Sequence, residues 1–312
     1  MKYKDYISIA RPDHWSKHIF IIPGILLALI LVPNSELFLS KIIIGFCSAC
    51  LLSSANYVIN EWLDAPFDRY HPIKKTRPLV LGKISSINVL IEYAILILAG
   101  IYLSSLVGTM FLLTSIIFIF FAILYNVKPF RIKDRVYSDI ILESFNNPLR
   151  LFFGWFMISG NTIPPYSIIL FYWFSGAFLM SAKRLAEYRQ LISTEALTNL
   201  GNYRRSFAKY TEKSLLLSAY FYSLLATFNI SVFLVKYKIE LILIFPAISV
   251  LFTYYLGVSY KESSIVQTPE KLFLDKYLMV IIIFTIILFS TLLIIEIPLL
   301  GILSESFITE IF

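Results

Sequence analysis

Long apolar runs separated by short polar connections make up most of the chain. They fall at 19–34, 39–59, 84–103, 109–127, 138–158, 165–182, 214–235, 239–257 and 277–300. Most are long enough to cross about 30 Å of hydrocarbon as a helix. A soluble helical fold would need polar faces that these runs lack. The pattern predicts an all-α polytopic membrane protein with nine transmembrane helices. No linker rich in Gly or Ser divides it, so residues 1–312 read as a single integral membrane domain. The second and fifth runs have uncertain ends because both are partly polar. The fifth carries Asp139, Glu143, Asn146, Asn147, Pro148 and Arg150. It must face the protein interior or a wet cavity, or else be a loop.

Composition supports this reading. Of 312 residues, 58% are apolar and 15% charged, with a mean hydropathy of +0.76, which lies outside ordinary globular composition. The segments 1–18, 60–83, 128–137, 183–213 and 258–276 hold 23 of the 27 Lys and Arg residues. All five fall on one side of a nine-span topology. Basic residues are retained preferentially on the cytoplasmic side, so the N-terminus is expected in the cytoplasm and the C-terminus outside. The net charge of +7 follows from this asymmetry and from attraction to anionic lipid headgroups. It does not call for nucleic acid, because spans separate the basic clusters.

Two features carry less weight. The N-terminal segment is not expected to be a cleaved signal, since its apolar run begins only after Arg11, Pro12, His14 and Lys17. Cys47 and Cys50 are the only cysteines, and they lie inside the second run. Packing thiols are the simpler reading there, because a redox pair expects a thioredoxin-like setting and a four-thiolate metal site needs a second pair.

The chemistry gathers in two polar constellations. Asn60, Asp64 and Asp68 recur at spacings of four in N-E-W-L-D-A-P-F-D, so they share a helix face. Carboxylate and amide oxygens suit Mg2+, which keeps several waters and binds largely through substrate phosphates. They do not suit structural zinc. Glu61 points elsewhere, as a further ligand or an ion-pair partner. Pro66 is expected to kink or end the helix and to turn Asp68 aside. Downstream, Arg69, His71, Lys74, Lys75 and Arg77 are candidates for gripping phosphoryl oxygens, although some of them serve topology alone.

The second constellation ends the sixth run at S-A-K-R-L-A-E-Y-R-Q, with Lys183, Arg184 and Glu187 at the mouth of the span. Lys183 and Glu187 read either as a reversed helix pair or as part of a wall for a second anion. Tyr203, Arg204, Arg205 and Tyr210 follow in what reads as an interfacial helix. Arg150 is expected to meet Asp139, Glu143 or a ligand phosphate. Asp139 and Glu143, themselves four apart, are candidates for a second metal or for neutralising basic neighbours. Connections 60–83 and 183–213 echo one another, each following a long span.

These residues resemble the UbiA superfamily of intramembrane prenyltransferases. Its N-D-x-x-D-x-x-x-D signature corresponds to Asn60 through Asp68, with Glu61 in the second position. The match is sharper to the decaprenyl-phosphate phosphoribosyltransferase branch. That branch resembles R-P-D-H-W-S-K-H at 11–18, D-R-Y-H-P-I-K-K-T-R-P at 68–78 and D-x(10)-R-x-x-x-G from Asp139 through Arg150 to Gly154. It also resembles A-K-R-L-A-E at 182–187 and P-E-K-L-F-L-D-K at 269–276. The resemblance implies a UbiA-like bundle with a central cavity opening to the cytoplasmic side, in the inner (plasma) membrane. Relatives acting on aromatic rings carry a second Asp-rich motif where this chain has Lys183 and Arg184.

The branch implies Mg2+-dependent transfer of 5-phosphoribosyl from phosphoribosyl pyrophosphate to a polyprenyl phosphate, in cell-envelope biosynthesis. Asn60, Asp64 and Asp68 would hold Mg2+ on the leaving pyrophosphate, and Lys183 and Arg184 would place the lipid phosphate. Lys74, Lys75 and Arg77 would contact the soluble donor. Tyr125, Lys128, Asp139, Glu143, Arg150, Glu187 and Arg69 are further binding candidates. A homo-oligomer is compatible with such a membrane enzyme. The chain departs from the branch at Glu61, at His18 where Asn is common, and in a 125–139 connection roughly three residues longer. The alternatives are prenyl transfer from a prenyl diphosphate to an aromatic or other small acceptor, and a transporter or lipid-binding protein with an anion site.

Overall fold

All nine apolar runs fold as helix, and no strand occurs among the described residues. The computed structural model describes residues 3–70, 74–193, 204–261, 264–267 and 269–300. The first membrane-crossing segment, Lys4–Leu31, begins well before the first apolar run and is built from α1 (Tyr3–Ala10), a 3-10 segment (Pro12–Ile21) and α2 (Ile22–Leu31). Then come α3 (Leu39–Asp68), α4 (Ser86–Val107) and α5 (Thr109–Asn126). Next are α6 (Ser138–Ser144), α7 (Asn146–Ile158) and α8 (Tyr166–Ser193). The chain continues through α9 (Glu212–Tyr237), α10 (Phe245–Ser259) and α11 (Lys276–Ile294). Ser85, Thr211 and Asp275 cap α4, α9 and α11 by accepting from backbone N–H groups in the first turn, which replaces bonds a helix start lacks.

Among the described residues, eight segments are long and apolar enough to cross a membrane, against nine expected. The 138–158 run accounts for the difference. It breaks at Phe145 into α6 and α7, and neither half reaches about 30 Å at about 1.5 Å per residue. The expected end of α3 at Pro66 is corrected, since the helix continues through Pro66 to Asp68. Side chains hold the turn beyond the proline: Arg77 pairs with Asp68, and the Arg131 guanidinium sits 4.6 Å from the Phe67 ring centroid.

Apolar side chains face outward over much of the surface, as on a protein solvated by lipid. On α11, Val280, Ile283, Phe284, Ile286 and Ile287 are all exposed, and only Leu278 and Leu292 are buried. Inside, helices approach closely where side chains are small. A Cβ on Gly154 of α7 would lie 2.1 Å from the Ile21 carbonyl, and one on Gly24 of α2 would lie 2.3 Å from the Leu151 carbonyl. The α2–α7 crossing therefore requires glycine on both sides. Ser48, Ser104 and Ser115 link α3, α4 and α5 through hydroxyl contacts of 2.7 Å.

The long connections between α3 and α4, α5 and α6, α8 and α9, and α10 and α11 gather at one end with the N-terminal 3-10 segment. Contacts between them fix this: Lys74 reaches Glu187, the Tyr137 N–H donates to the Tyr210 hydroxyl, and Gln267 donates to the Ala186 carbonyl. At this end, where a central cavity was expected to open, the side chains meet directly in ion pairs. A cavity of about 590 Å³ lies elsewhere, lined by residues that include Asn34, Glu36, Lys41 and Asn161.

Candidate active site

Asn60, Asp64 and Asp68 lie along the last turns of α3, as their spacing predicted, and each meets a basic residue. The Lys133 ammonium lies 2.6 Å from Asp64 Oδ1 and donates to the side-chain oxygens of Asn60 at 2.9 Å and Asn126 at 2.8 Å. Arg131 donates to the same Asp64 oxygen at 2.8 Å and to Asp134 at 3.2 Å. Asp68 pairs with Arg77. Glu61 is buried and pairs with Arg11 at 2.9 Å, with Arg77 at 3.9 Å. Glu61 is therefore an ion-pair partner on a neighbouring face.

Burial pushes the Lys133 ammonium down to about 8, against the opposing pull of Asp64. Lys74 is likewise lowered to about 8 by burial, although Glu187 favours its charged form. Desolvation outweighs the nearby carboxylates in each case, Asp64 for Lys133 and Glu187 with Asp68 for Lys74. Arg11 and Arg131 hold left-handed backbone conformations (φ 49° and 35°), and Tyr137 has φ 62°. Such geometry in side chains with a Cβ is costly and tends to cluster where function demands it. Arg11 and Arg131 pair with Glu61 and Asp64 at this site, and Tyr137 meets Tyr210 beside Asp139.

The second constellation is built around Arg184, which is buried in the C-terminal half of α8. It reaches Glu143 at 2.6 Å, Glu187 at 3.1 Å and Asp139 at 3.6 Å. Tyr125 also donates to Glu143, and Arg204 donates to Tyr125 at 3.1 Å. Asp139 is fully buried and accepts from Tyr210 at 2.6 Å and Ser206 at 3.4 Å. Glu187 is shared by Arg184 and by Lys74 at 3.4 Å. The Lys74–Glu187 pair thus joins the two constellations across 113 residues of sequence.

Several expectations are modified. Asp139 and Glu143 face Arg184, so they neutralise a basic neighbour. Arg150 meets neither acid directly: it donates to Asn147 at 3.2 Å, and its Nε is buried without a bond. Arg69, Lys75 and Lys128 are exposed, with no ion pair to the cluster. Arg205 begins a 3-10 turn (Arg205–Ala208) instead of the expected interfacial helix. His71 and Tyr203 lie outside the described residues. Cys47 and Cys50 are free thiols.

Sequence reasoning missed Arg131, Lys133 and the N-terminal face. Along the 3-10 segment, Lys17 bonds His14 at 2.9 Å, the His14 ring packs against Tyr57 of α3 at 4.8 Å, and Trp15 donates to Ser54 at 3.0 Å. The spacing of R-P-D-H-W-S-K-H gives no periodic signal of this inward face. Lys133 stood in the sequence as one of four basic residues of the 128–137 connection, in a 125–139 stretch that could touch the soluble substrate but without an individual partner.

No group of three or more His, Cys, Asp or Glu side chains among the described residues converges as a metal cage. The donor set is two carboxylates and an amide on one face. That chemistry fits Mg2+ bound mainly through substrate phosphates and water.

The model of the UbiA prenyltransferase family matches residues 19–274. The chain belongs to this family. Solved UbiA structures share the fold. A UbiA homologue from Archaeoglobus fulgidus bound to GPP and Mg2+ superposes with a TM-score of 0.68 at 20% identity, covering 92% of this chain and 99% of that one. Curated relatives of this UbiA chain include an uncharacterised protein of Sinorhizobium fredii, 28% identical over 52% of this chain and 30% of its own. A decaprenyl-phosphate phosphoribosyltransferase of Mycolicibacterium smegmatis is 26% identical over 67% of this chain and 63% of its own. A protoheme IX farnesyltransferase of Thermoplasma acidophilum is 25% identical over 53% and 57%. The chain thus spans less than two thirds of each of these three relatives.

Proposed function

We propose that this UbiA protein transfers 5-phosphoribosyl from phosphoribosyl pyrophosphate to a polyprenyl phosphate, at the cytoplasmic face of the inner membrane. The observation that carries this reading is the Lys183–Arg184 pair at the mouth of α8. A prenyl diphosphate held through a second Mg2+ would need carboxylates free to bind it there, whereas Asp139, Glu143 and Glu187 are engaged by Arg184. In the preferred reaction a phosphate oxygen of the lipid attacks the anomeric carbon. The C1–O bond to pyrophosphate breaks and its electron pair leaves on pyrophosphate. The attacking phosphate is already ionised, so no general base is needed.

Asn60, Asp64 and Asp68 are the residues that would hold Mg2+. Bound there, the ion would neutralise charge developing on the leaving pyrophosphate. Lys74, Arg77, Arg131 and Lys133 surround the same face and would grip the donor's phosphates, with guanidinium forks fixing orientation. Arg184, tied to three carboxylates, acts as a positioning residue that orients Glu143 and Glu187. The bias of basic residues towards this end supports its cytoplasmic placement. The test is product mass: incubation with phosphoribosyl pyrophosphate and a polyprenyl phosphate should yield a lipid heavier by one phosphoribosyl group.

The second reading, prenyl transfer from a diphosphate to a small acceptor, is favoured by the carboxylate-bearing face of α3. It would break the prenyl C–O bond, so the prenyl–phosphate ester would not survive in the product.

A further inference from the structure

His18 is 4% exposed, and neither ring nitrogen has a hydrogen-bond partner within the protein. A buried imidazole without partners loses its bonds to water and gains nothing in exchange. The charged groups that act on it are Arg150 and Lys17, both cations. Arg150 has the complementary deficit. Its hydrogen bond is to the neutral Asn147 side chain, and its buried Nε is unbonded. Tyr57 and Glu143 are within electrostatic reach of it, but the Glu143 carboxylate is already engaged by Arg184 and Tyr125. A guanidinium at membrane depth without a paired acid is costly unless a ligand supplies the anion.

The fold holds these two groups on adjacent elements. The glycine crossing sets α7 against the 3-10 segment at Ile21 and Gly154; His18 precedes Ile21 by three residues and Arg150 precedes Gly154 by four. Tyr57 lies three residues before Asn60 on α3, about 4.5 Å along the axis. An anion at Arg150 would therefore sit about one turn deeper than the Asn60–Asp64 face. Just beside His18, Ile19, Phe20 and Ile22 point outward and are 62%, 44% and 42% exposed. An apolar tail leaving this position meets a lipid-facing surface.

We propose that Arg150 and His18 form the seat of the acceptor's phosphate, taking the phosphomonoester of a polyprenyl lipid whose chain leaves beside Ile19 and Phe20. Arg150 donates from Nε, and the neutral imidazole of His18 donates one N–H to a second phosphate oxygen. The assignment rests on the acceptor being a lipid phosphate, as in the function proposed above. It relieves Arg184, already held by three carboxylates, of that role.

The test uses the full chain in lipid nanodiscs, with calorimetric titration of farnesyl phosphate as acceptor probe and of phosphoribosyl pyrophosphate separately. Arg150→Gln should weaken farnesyl phosphate binding by at least about tenfold, the loss of a charge-assisted hydrogen bond. His18→Ala should weaken it by about threefold or more, and Arg150→Lys should recover part of the loss. Binding of phosphoribosyl pyrophosphate should stay within about twofold. The melting temperature of Arg150→Gln should hold or rise, because the variant removes an uncompensated charge. A structural role for Arg150 would instead lower the melting temperature and weaken both ligands together. That outcome overturns the proposal, as does wild-type-like binding by both variants or no binding of farnesyl phosphate to the wild type. If the wild type binds farnesyl phosphate through Arg150 yet forms no phosphoribosyl lipid, the proposed reaction fails and the phosphate seat stands.

Discussion

Lys133 lies 2.6 Å from the Asp64 carboxylate, and its ammonium is centred among the oxygens of Asn60, Asp64 and Asn126. A protein cation thus occupies the oxygen-lined face assigned to Mg2+. Under the proposed function, Mg2+ bound there would compete with Lys133 until a donor phosphate drew the ammonium away. Lys133→Gln should therefore tighten binding of Mn2+, used as an EPR-visible substitute for Mg2+, by about tenfold in the absence of donor. The same change should raise the KM for the donor. Unchanged Mn2+ affinity would remove Lys133 from competition with the metal.

Asp64→Asn should lower turnover by at least about 100-fold, since it removes the carboxylate that meets two cations and that is proposed to hold the metal. The protein should remain folded. Arg131 keeps Asp134, and Lys133 keeps Asn60 and Asn126. Initial rates together with a thermal melt check this, and retained activity would exclude Asp64 from the reacting site.

Arg184→Gln should act mainly on stability. The guanidinium is buried and balances Asp139, Glu143 and Glu187. Its removal leaves carboxylates crowded away from water, at a cost of about 3–5 kcal/mol. The melting temperature in detergent should fall clearly further than for a change at exposed Lys75.

The pH dependence should carry the mark of Lys74. Burial lowers its ammonium to about 8, so the charged form prevails below that pH and is lost above it. As kcat/KM reports the free enzyme, kcat/KM for the donor should fall above pH about 8. In Lys74→Arg the side chain stays charged throughout, and that limb should flatten. A limb that persists in this variant belongs to another group.

Hydropathy made the helices legible because lipid demands continuous apolar runs: 109–127 became Thr109–Asn126, and 214–235 became Glu212–Tyr237. The spacing of Asn60, Asp64 and Asp68 likewise placed them on one face. Pairings across long separations were not legible. Nothing local indicates that Lys133 returns to Asp64, that Lys74 reaches Glu187, or that His18 and Arg150 lie on adjacent elements. These depend on which helices pack together, which is set by close approaches such as Gly24 against Gly154. The break at Phe145 was foreshadowed only by the polar residues Asn146, Asn147 and Pro148 beside it.

The most direct test follows the fate of the lipid phosphate. Purified protein is given Mg2+, phosphoribosyl pyrophosphate labelled with carbon-14 in the ribose, and polyprenyl phosphate labelled with phosphorus-32. Phosphoribosyl transfer requires one lipid product carrying both labels in equal molar amount, with release of pyrophosphate. A product lacking the ribose label, or prenyl transfer from a prenyl diphosphate to a small acceptor with no doubly labelled lipid, would contradict it.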